Sequence, residues 1–485
     1  MNLKATLLRA GAWTAGAYSV ELVVRLVSNL ILTRLLFPEA FGVVAASSSI
    51  LIGLELISDF GVRAAIIQNP RGDSDTFLRS AWTFQISRGI ILWLVVIVIC
   101  GCLALPFTRA VIPAQSVFSS TMVAGLTMLL GFQFVIAGFE STAIPLNYRR
   151  MNYKPVVLLD LTSKIAPVPL TILCAWLYPS PFALAAGPLT ASTLRVVLSH
   201  TIIPGPMMRW EWDTGCIQQL VHFGKWITVS SIATFGVSQS DVIFFGFLLP
   251  ASFLGVYFIA RTLVDAAEGL LERLNATLTL SVLGEVLRQN PLNLRDRFYR
   301  FRLPIDFVAA TSGGFLVSAG TAIIGILYDP RYIQAGSVLE VLGLGLAIYP
   351  VQLIRSAFTA VGQTHVVATV SVIQAFTVVS FLITGFLISG PMGAVVGLVL
   401  SRLVPSAILF LLGRRKNWTS GWQELRLIPL FISGLLLGWL FLVLLQKFEH
   451  GSVLLTDRGA WESPLTASVN LLSSGSCRLL QGRGT

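Results

Sequence analysis

The chain has 485 residues, 55% of them hydrophobic and 12% charged, and a mean hydropathy of +0.79. Soluble domains carry about 25% charged residues, so this composition argues against an ordinary soluble protein and for a polytopic α-helical membrane protein. The net charge of +11 would suit nucleic acid, but its placement along the chain argues for membrane orientation instead.

Apolar runs of about 20 residues, the length that crosses roughly 30 Å of hydrocarbon, recur from end to end. They predict thirteen spans, at 11–33, 41–67, 82–106, 116–138, 155–177, 183–203, 221–247, 253–284, 304–327, 335–360, 366–389, 391–413 and 427–446. The opening "MNLKATLLRAGAW" runs into the first span without a small-residue cleavage site, so the first helix is expected to stay.

With the N-terminus in the cytoplasm, the inner loops hold Lys4, Arg9, Arg71, Arg79, Arg149, Arg150, Lys154, Arg209, Arg288, Arg295, Arg297, Arg300, Arg302, Arg414, Arg415, Lys416 and Arg426. The outer loops hold Arg34, Arg109 and Arg331. Seventeen against three is the asymmetry expected of a multi-pass membrane protein with a cytoplasmic N-terminus. Contact with anionic lipid headgroups would follow from the same charges, above all in the Arg-rich connection 284–304.

Two landmarks recur at nearly one offset. "AGAW" at 10–13 answers to "FGKW" at 223–226, and "LLFPEAFGV" at 35–43 answers to "LLPASFLGV" at 248–256, with Pro38 and Pro250 212 positions apart. Spans 1–6 and 7–12 therefore read as copies of one six-helix unit. An even number of spans per copy leaves both in the same orientation, a parallel internal repeat. The expected divisions are a bundle at 1–205, a second bundle at 206–415, an additional span within 416–446 and a polar, poorly ordered tail at 447–485.

Charged side chains at bilayer depth are costly and are normally turned toward a partner or a wet cavity. In chain order they are Glu21 and Arg25 in span 1; Glu55, Asp59 and Arg63 in span 2; Asp160 and Lys164 in span 5; Asp241 in span 7; and Arg261, Asp265, Glu268 and Glu272 in span 8. Glu340, Arg355 and Arg402 follow. Most repeat at i,i+4 and so fall in lines along single helix faces.

The plainer reading makes them ion pairs that hold the bundle together, with Arg63 and Glu272 snorkelling from span ends. Their concentration in spans 1, 2, 7 and 8, the first two helices of each copy, favours a water-filled central cleft. Within it, Arg25, Arg261, Arg355 and Arg402 form the cationic set for an anionic substrate, since guanidinium binds phosphate or carboxylate in two-pronged fashion. Glu21, Glu55, Asp59, Asp241, Asp265 and Glu268 form the acidic set, suited to carrying a proton or sodium ion.

No metal site is expected. His200, His222, His365 and His450 lack ligand spacing, and Cys100, Cys102, Cys174, Cys216 and Cys477 read as small packing residues. No cofactor motif and no nucleophile–base constellation is present, so no catalytic residue is assigned.

The stretch "SNLILTRLLFPEAFGVVAASSSILIGLELISDFGVRAAIIQNP" resembles the N-terminal region of the polysaccharide transporter (Wzx-like oligosaccharide flippase) family. That family belongs to the multidrug/oligosaccharidyl-lipid/polysaccharide exporter superfamily. "LGVYFIARTLVDAAEGLLERL", "RLPIDFVAATSGGFLVSAGTAIIGILYDPRYIQAG" and "TAVGQT" resemble its second half, and the likeness covers roughly residues 8–415.

It implies a flippase that moves undecaprenyl-diphosphate-linked oligosaccharide units across a bacterial inner membrane by alternating access, for O antigen, capsule or exopolysaccharide. Its expected partners are the lipid-linked oligosaccharide, membrane lipids, and the polymerase and glycosyltransferases of the same pathway, with no nucleic acid. A multidrug or small-molecule exporter of the same superfamily is the alternative, and a membrane polysaccharide polymerase a more distant one. A cation exporter would want an acidic cavity with few arginines, and a polymerase would want catalytic residues on a large external loop. Neither pattern is present.

Overall fold

The computed structural model describes residues 3–105, 112–278 and 294–453. The connection 284–293 and the tail beyond 453, both singled out in the sequence, lie outside the described residues. Within the described residues every regular element is helical.

The first half comprises α1 (Leu3–Leu35), α2 (Pro38–Ile57), α3 (Val62–Gln68), α4 (Asp75–Ala104), α5 (Thr121–Gly131), α6 (Gln133–Gly138), α7 (Ala143–Arg149), α8 (Tyr153–Ile165), α9 (Pro167–Leu177) and α10 (Ala186–Thr201). The second comprises α11 (Thr214–Ser238), α12 (Ser240–Leu248), α13 (Ala251–Leu278), α14 (Leu294–Leu327), α15 (Ala335–Gln352), α16 (Ile354–Ala360), α17 (Thr364–Ser401) and α18 (Leu403–Arg415). The short α19 (Gly421–Glu424) and the long α20 (Leu427–Val453) follow. Residues 1–439 form one compact unit. Of the second, 440–485, the described part is the end of α20.

Ten helical segments are long and apolar enough to cross a membrane. One of them, His365–Arg415, is 51 residues long and is broken by non-helical Ser389 and Gly390 before Pro391, so it serves as two crossings. The bent pair Ile227–Ser238 and Ser240–Leu248 adds another. Helix α13 has the length, 28 residues, but its charges set it apart from purely apolar spans. Without α13, which is not apolar enough to count, the described residues hold twelve such crossings against the thirteen expected.

Local chemistry sets the helix ends. Proline, which lacks an N–H and so suits a first helical turn, opens α2 at Pro38 and α9 at Pro167. Ser74 caps α4 by accepting from the Phe77 N–H at 3.4 Å, and Asp213 caps α11 by accepting from the Cys216 N–H at 2.7 Å. Each cap satisfies one of the donors a helix start leaves free.

The two halves meet along α2 and α13, and the contact is reciprocal. A Cβ on Gly42 would lie 1.9 Å from the Ala251 carbonyl oxygen, and one on Gly255 would lie 1.8 Å from the Pro38 carbonyl oxygen. Only glycine admits backbones this close. Gly42 and Gly255 occupy matching positions in the repeated "LLFPEAFGV" and "LLPASFLGV" segments. Matching residues thus meet each other's starting turns, as a two-fold relation requires. At the same end, Ser116 donates to the Gly246 carbonyl at 2.9 Å, Gln115 to that of Leu248 at 3.0 Å, and the Tyr332 hydroxyl to that of Leu36 at 2.9 Å. Toward the other end, the Thr228 hydroxyl donates to the Asp59 carbonyl at 2.9 Å.

Span 2 departs from the sequence reading. Glu55, Asp59 and Arg63 were expected in one line on a continuous helix. Instead α2 stops at Ile57, and the chain turns through Gly61 at φ +59° before α3 begins. Asp59 stabilises the turn, its Oδ1 accepting from the Gly61 N–H at 2.8 Å. Beyond the break Arg63 stacks its guanidinium 4.0 Å from the centre of the Tyr148 ring, and it still lines one cavity with Glu55 and Asp59. The helical periodicity was real on either side of the break, but a glycine in left-handed backbone interrupts it.

Candidate functional site

Among the described residues, charges at membrane depth line two cavities, one within each half.

The first-half cavity, about 310 Å³, is lined by Glu55, Asp59, Arg63, Gln85, Arg88, Glu140, Ser141 and Arg195 among others. Arg195 on α10 is gripped by two carboxylates, Glu140 at 3.0 Å and Asp160 in a short ion pair. Arg88 on α4 bonds the break in span 2, giving Nε to Ser58 Oγ at 3.2 Å and Nη2 to the Glu55 carbonyl at 3.1 Å. The Glu55 carboxylate accepts no hydrogen bond from the described residues and faces the cavity.

The second-half cavity, about 370 Å³, gathers Asp241, Tyr257, Arg261, Asp265, Glu268, Glu272, Gln352, Arg355, Gln374 and Arg402. Here the stripe holds. Helix α13 is continuous, so Arg261, Asp265, Glu268 and Glu272 share a face. Asp241 sits just past the bend between α11 and α12, only 2% exposed. It is bonded by the Tyr257 hydroxyl and by Arg261. Arg261 also lies 3.5 Å from Asp265. Arg402 pairs with Glu268 across helices.

Partly buried arginines so occupied are braces whose charge is neutralised locally. Arg355 differs. Its Nη2 donates to Gln374 Oε1 at 2.8 Å, its Nε has no acceptor, and no carboxylate of the described residues lies within 4.0 Å of it. Arg25 on α1 is exposed and likewise makes no ion pair among the described residues, though its charge acts on Asp265.

Of the expected cationic set, the structure thus brings Arg261, Arg355 and Arg402 into one cavity and leaves Arg25 outside its wall. Of the acidic set, Asp241, Asp265 and Glu268 share that cavity, Glu55 and Asp59 line the other, and Glu21 lines neither. The i,i+4 partners expected within spans 1 and 5 pair across helices instead, Glu21 with Lys164 at 2.8 Å and Asp160 with Arg195. Glu340 accepts from the Thr321 N–H and hydroxyl, at 3.0 and 2.7 Å, and ties α15 to α14.

Sequence reasoning missed Arg88, Glu140 and Arg195 in the first half and Gln352 and Gln374 in the second. Arg88 and Arg195 carried a usable signal, a lone arginine within an apolar span. The glutamines carried none, since an isolated amide in a helix is too cheap to stand out.

The chain matches the family described as polysaccharide biosynthesis protein over residues 31–337. It is 18% identical over 442 residues to the lipopolysaccharide biosynthesis protein WzxC of Escherichia coli (strain K12), covering 89% of this chain and 86% of that protein. Two solved structures share its fold. One is the lipid II flippase MurJ in an inward closed conformation, with a TM-score of 0.68 at 13% identity over 94% of this chain and 95% of that one. The other is a multidrug resistance MATE family transporter of the MOP superfamily in an inward-facing conformation, with a TM-score of 0.64 at 13% identity over 84% and 95%. The chain is a multi-pass helical membrane protein that belongs to the polysaccharide biosynthesis protein family and has the fold of MOP-superfamily transporters.

Proposed function

We propose that this protein flips undecaprenyl-diphosphate-linked oligosaccharide repeat units across the bacterial inner membrane, with its N-terminus in the cytoplasm, and is not an enzyme. The observation that carries the reading is the pair of charged cavities buried inside a family of polysaccharide biosynthesis proteins. Such groups are costly at membrane depth, are turned toward partners or a wet cavity, and mark substrate or ion pathways. The relatives agree in chemistry: one is named for lipopolysaccharide biosynthesis and another is titled a lipid II flippase.

In this reading the polyprenyl chain stays in lipid while the glycan and diphosphate pass between the halves. Arg25 and Arg355 are the cations left over once Asp241 and Glu268 have engaged Arg261 and Arg402. Rocking of the halves about the glycine contact would alternate access, driven by a proton or sodium gradient through the cavity carboxylates.

The test is a strain lacking the gene. Undecaprenyl-linked units complete in their sugars and retained on the cytoplasmic leaflet are the expected result. Complete units on the periplasmic leaflet, unpolymerised, would assign the missing step to polymerisation and overturn the flippase reading.

A further inference from the structure

The segment "IIPGPMMRWEWD", residues 202–213, joins α10 to α11 and forms no helix of its own. It is fastened along its length. Asn147 Nδ2 donates to the Pro204 carbonyl at 3.0 Å, Arg79 Nε to that of Met207 at 3.3 Å, and the Thr142 hydroxyl to Met208 Sδ at 3.2 Å. The Glu211 and Asp213 N–H groups donate to the Thr83 and Ser80 hydroxyls, both at 3.1 Å, and Arg79 pairs with Glu211 at 3.5 Å. Every partner belongs to the first half, so side chains of that half supply what a helix would have given this backbone.

The strap crosses α4 on the side away from the cavity. Ser80, Thr83, Ile90, Leu94 and Val98 follow helical spacing along one face, whereas Gln85, Arg88 and Leu92 line the cavity from the other. Above the strap, Ile90, Leu94 and Val98 are exposed apolar side chains, the mark of a lipid-facing stripe. The span Asp75–Leu103 has 29 residues. At 1.5 Å per residue it exceeds the roughly 30 Å of hydrocarbon by about 7 Å at each end, which puts Ser80 near the headgroup boundary.

What the strap turns outward fits that depth. Met207, Trp210 and Trp212 are 71%, 66% and 50% exposed, with exposed Arg209 among them. Indole rings collect where acyl chains give way to headgroups, and a guanidinium reaches from there to lipid phosphate. The second half repeats the arrangement on α14, its own third span. There the Ser420 N–H donates to the Tyr299 hydroxyl at 3.0 Å, and Arg302 binds Glu424 at 2.8 and 2.5 Å. Glu424 follows Glu211 by 213 positions, one more than separates Pro38 from Pro250. Trp422 beside it is 83% exposed.

We propose that residues 205–212 anchor the first half to the surface of an anionic bilayer, with Met207, Trp210 and Trp212 at the headgroup boundary and Arg209 on lipid phosphate. Only the choice of the inner leaflet rests on the reading above, through its cytoplasmic N-terminus. The strap then stays with the membrane and the first half, and the second half is free to move from Thr214 onward.

The test uses the full-length protein in liposomes of phosphatidylglycerol brominated either next to the headgroup or near the chain end. Subtracting the emission of a Trp210→Phe/Trp212→Phe variant from that of the native protein isolates the two indoles. Their emission should be quenched most by bromine next to the headgroup. Emission red-shifted as in water and quenched by neither lipid overturns the proposal, and so does quenching greatest at the chain ends.

Arg209→Glu supplies the second readout, at an exposed position where folding is not at stake. The rise in melting temperature from phosphatidylcholine to phosphatidylglycerol nanodiscs should shrink in this variant. An unchanged rise would overturn the assignment of Arg209 to lipid phosphate. Either failure leaves the flippase reading standing, because that reading is decided by the leaflet assay.

Discussion

The two halves share one pattern yet brace their charges in different ways. In the first, Arg195 is shared by Glu140 and Asp160 and Arg88 is spent on the break in span 2, while the Glu55 carboxylate and the Arg63 guanidinium line the cavity without an ion pair among the described residues. In the second, Asp241 and Glu268 engage Arg261 and Arg402, and the Arg355 guanidinium and the Glu272 carboxylate line the cavity without an ion pair among the described residues. Counting charges would not show this, since each cavity is lined by both signs. What a cavity offers a ligand is decided by what remains after internal pairing.

What the halves share is the crossing of α2 and α13, and breaking it should have the largest effect. Gly255→Val forces a side chain into the Pro38 carbonyl. It should cost about 3 kcal/mol, at the upper end for overpacking, and be seen as a lowered melting temperature in detergent. Tolerance of valine there would show that the halves do not meet as described.

Next comes the first half's own brace. Arg195→Met leaves Glu140 and Asp160 without their common partner. These side chains are partly exposed, 22% and 34%, so the loss should be about 2 kcal/mol, below that of a fully buried pair. Arg355→Met, in contrast, should leave stability nearly unchanged, because no carboxylate is orphaned. Equal losses in the two variants would erase the contrast between the halves.

The smallest effect lies at the start of the second half. Asp213 caps α11, and the Cys216 N–H it accepts holds its carboxyl below the ordinary aspartate range. A carboxyl lowered on folding stabilises the fold above its unfolded value, near 3.9, and that contribution disappears as pH falls through the folded value. The stability gap between the native protein and Asp213→Ala should thus be constant at neutral pH and close below about pH 4. A gap that persists in acid would mean that the cap does not act through its charge.

Much of the fold was legible in the sequence because hydropathy reports directly on membrane crossing, and the repeat was legible because Pro38, Pro250 and the glycines after them recur. The stripe on α13 could be read because nothing interrupts that helix. The line on span 2 could not, since Gly61 gives no sign in the sequence that its backbone is left-handed rather than helical. Pairing was the least legible feature. Asp160 and Lys164 have ideal i,i+4 spacing, yet each finds a nearer partner on another helix. Spacing describes one helix, whereas a brace such as Arg402 to Glu268 joins positions 134 apart.

The most direct test of the account is translocation itself. The protein reconstituted in liposomes with a fluorescently tagged undecaprenyl-diphosphate-linked repeat unit allows the flipping rate to be compared between native protein and Arg355→Ala. If Arg355 holds the cargo's charge during passage, the rate should fall tenfold or more, the loss of one charge-assisted hydrogen bond, with stability unchanged. A rate equal to that of the native protein would contradict the assignment of the second-half cavity to the substrate.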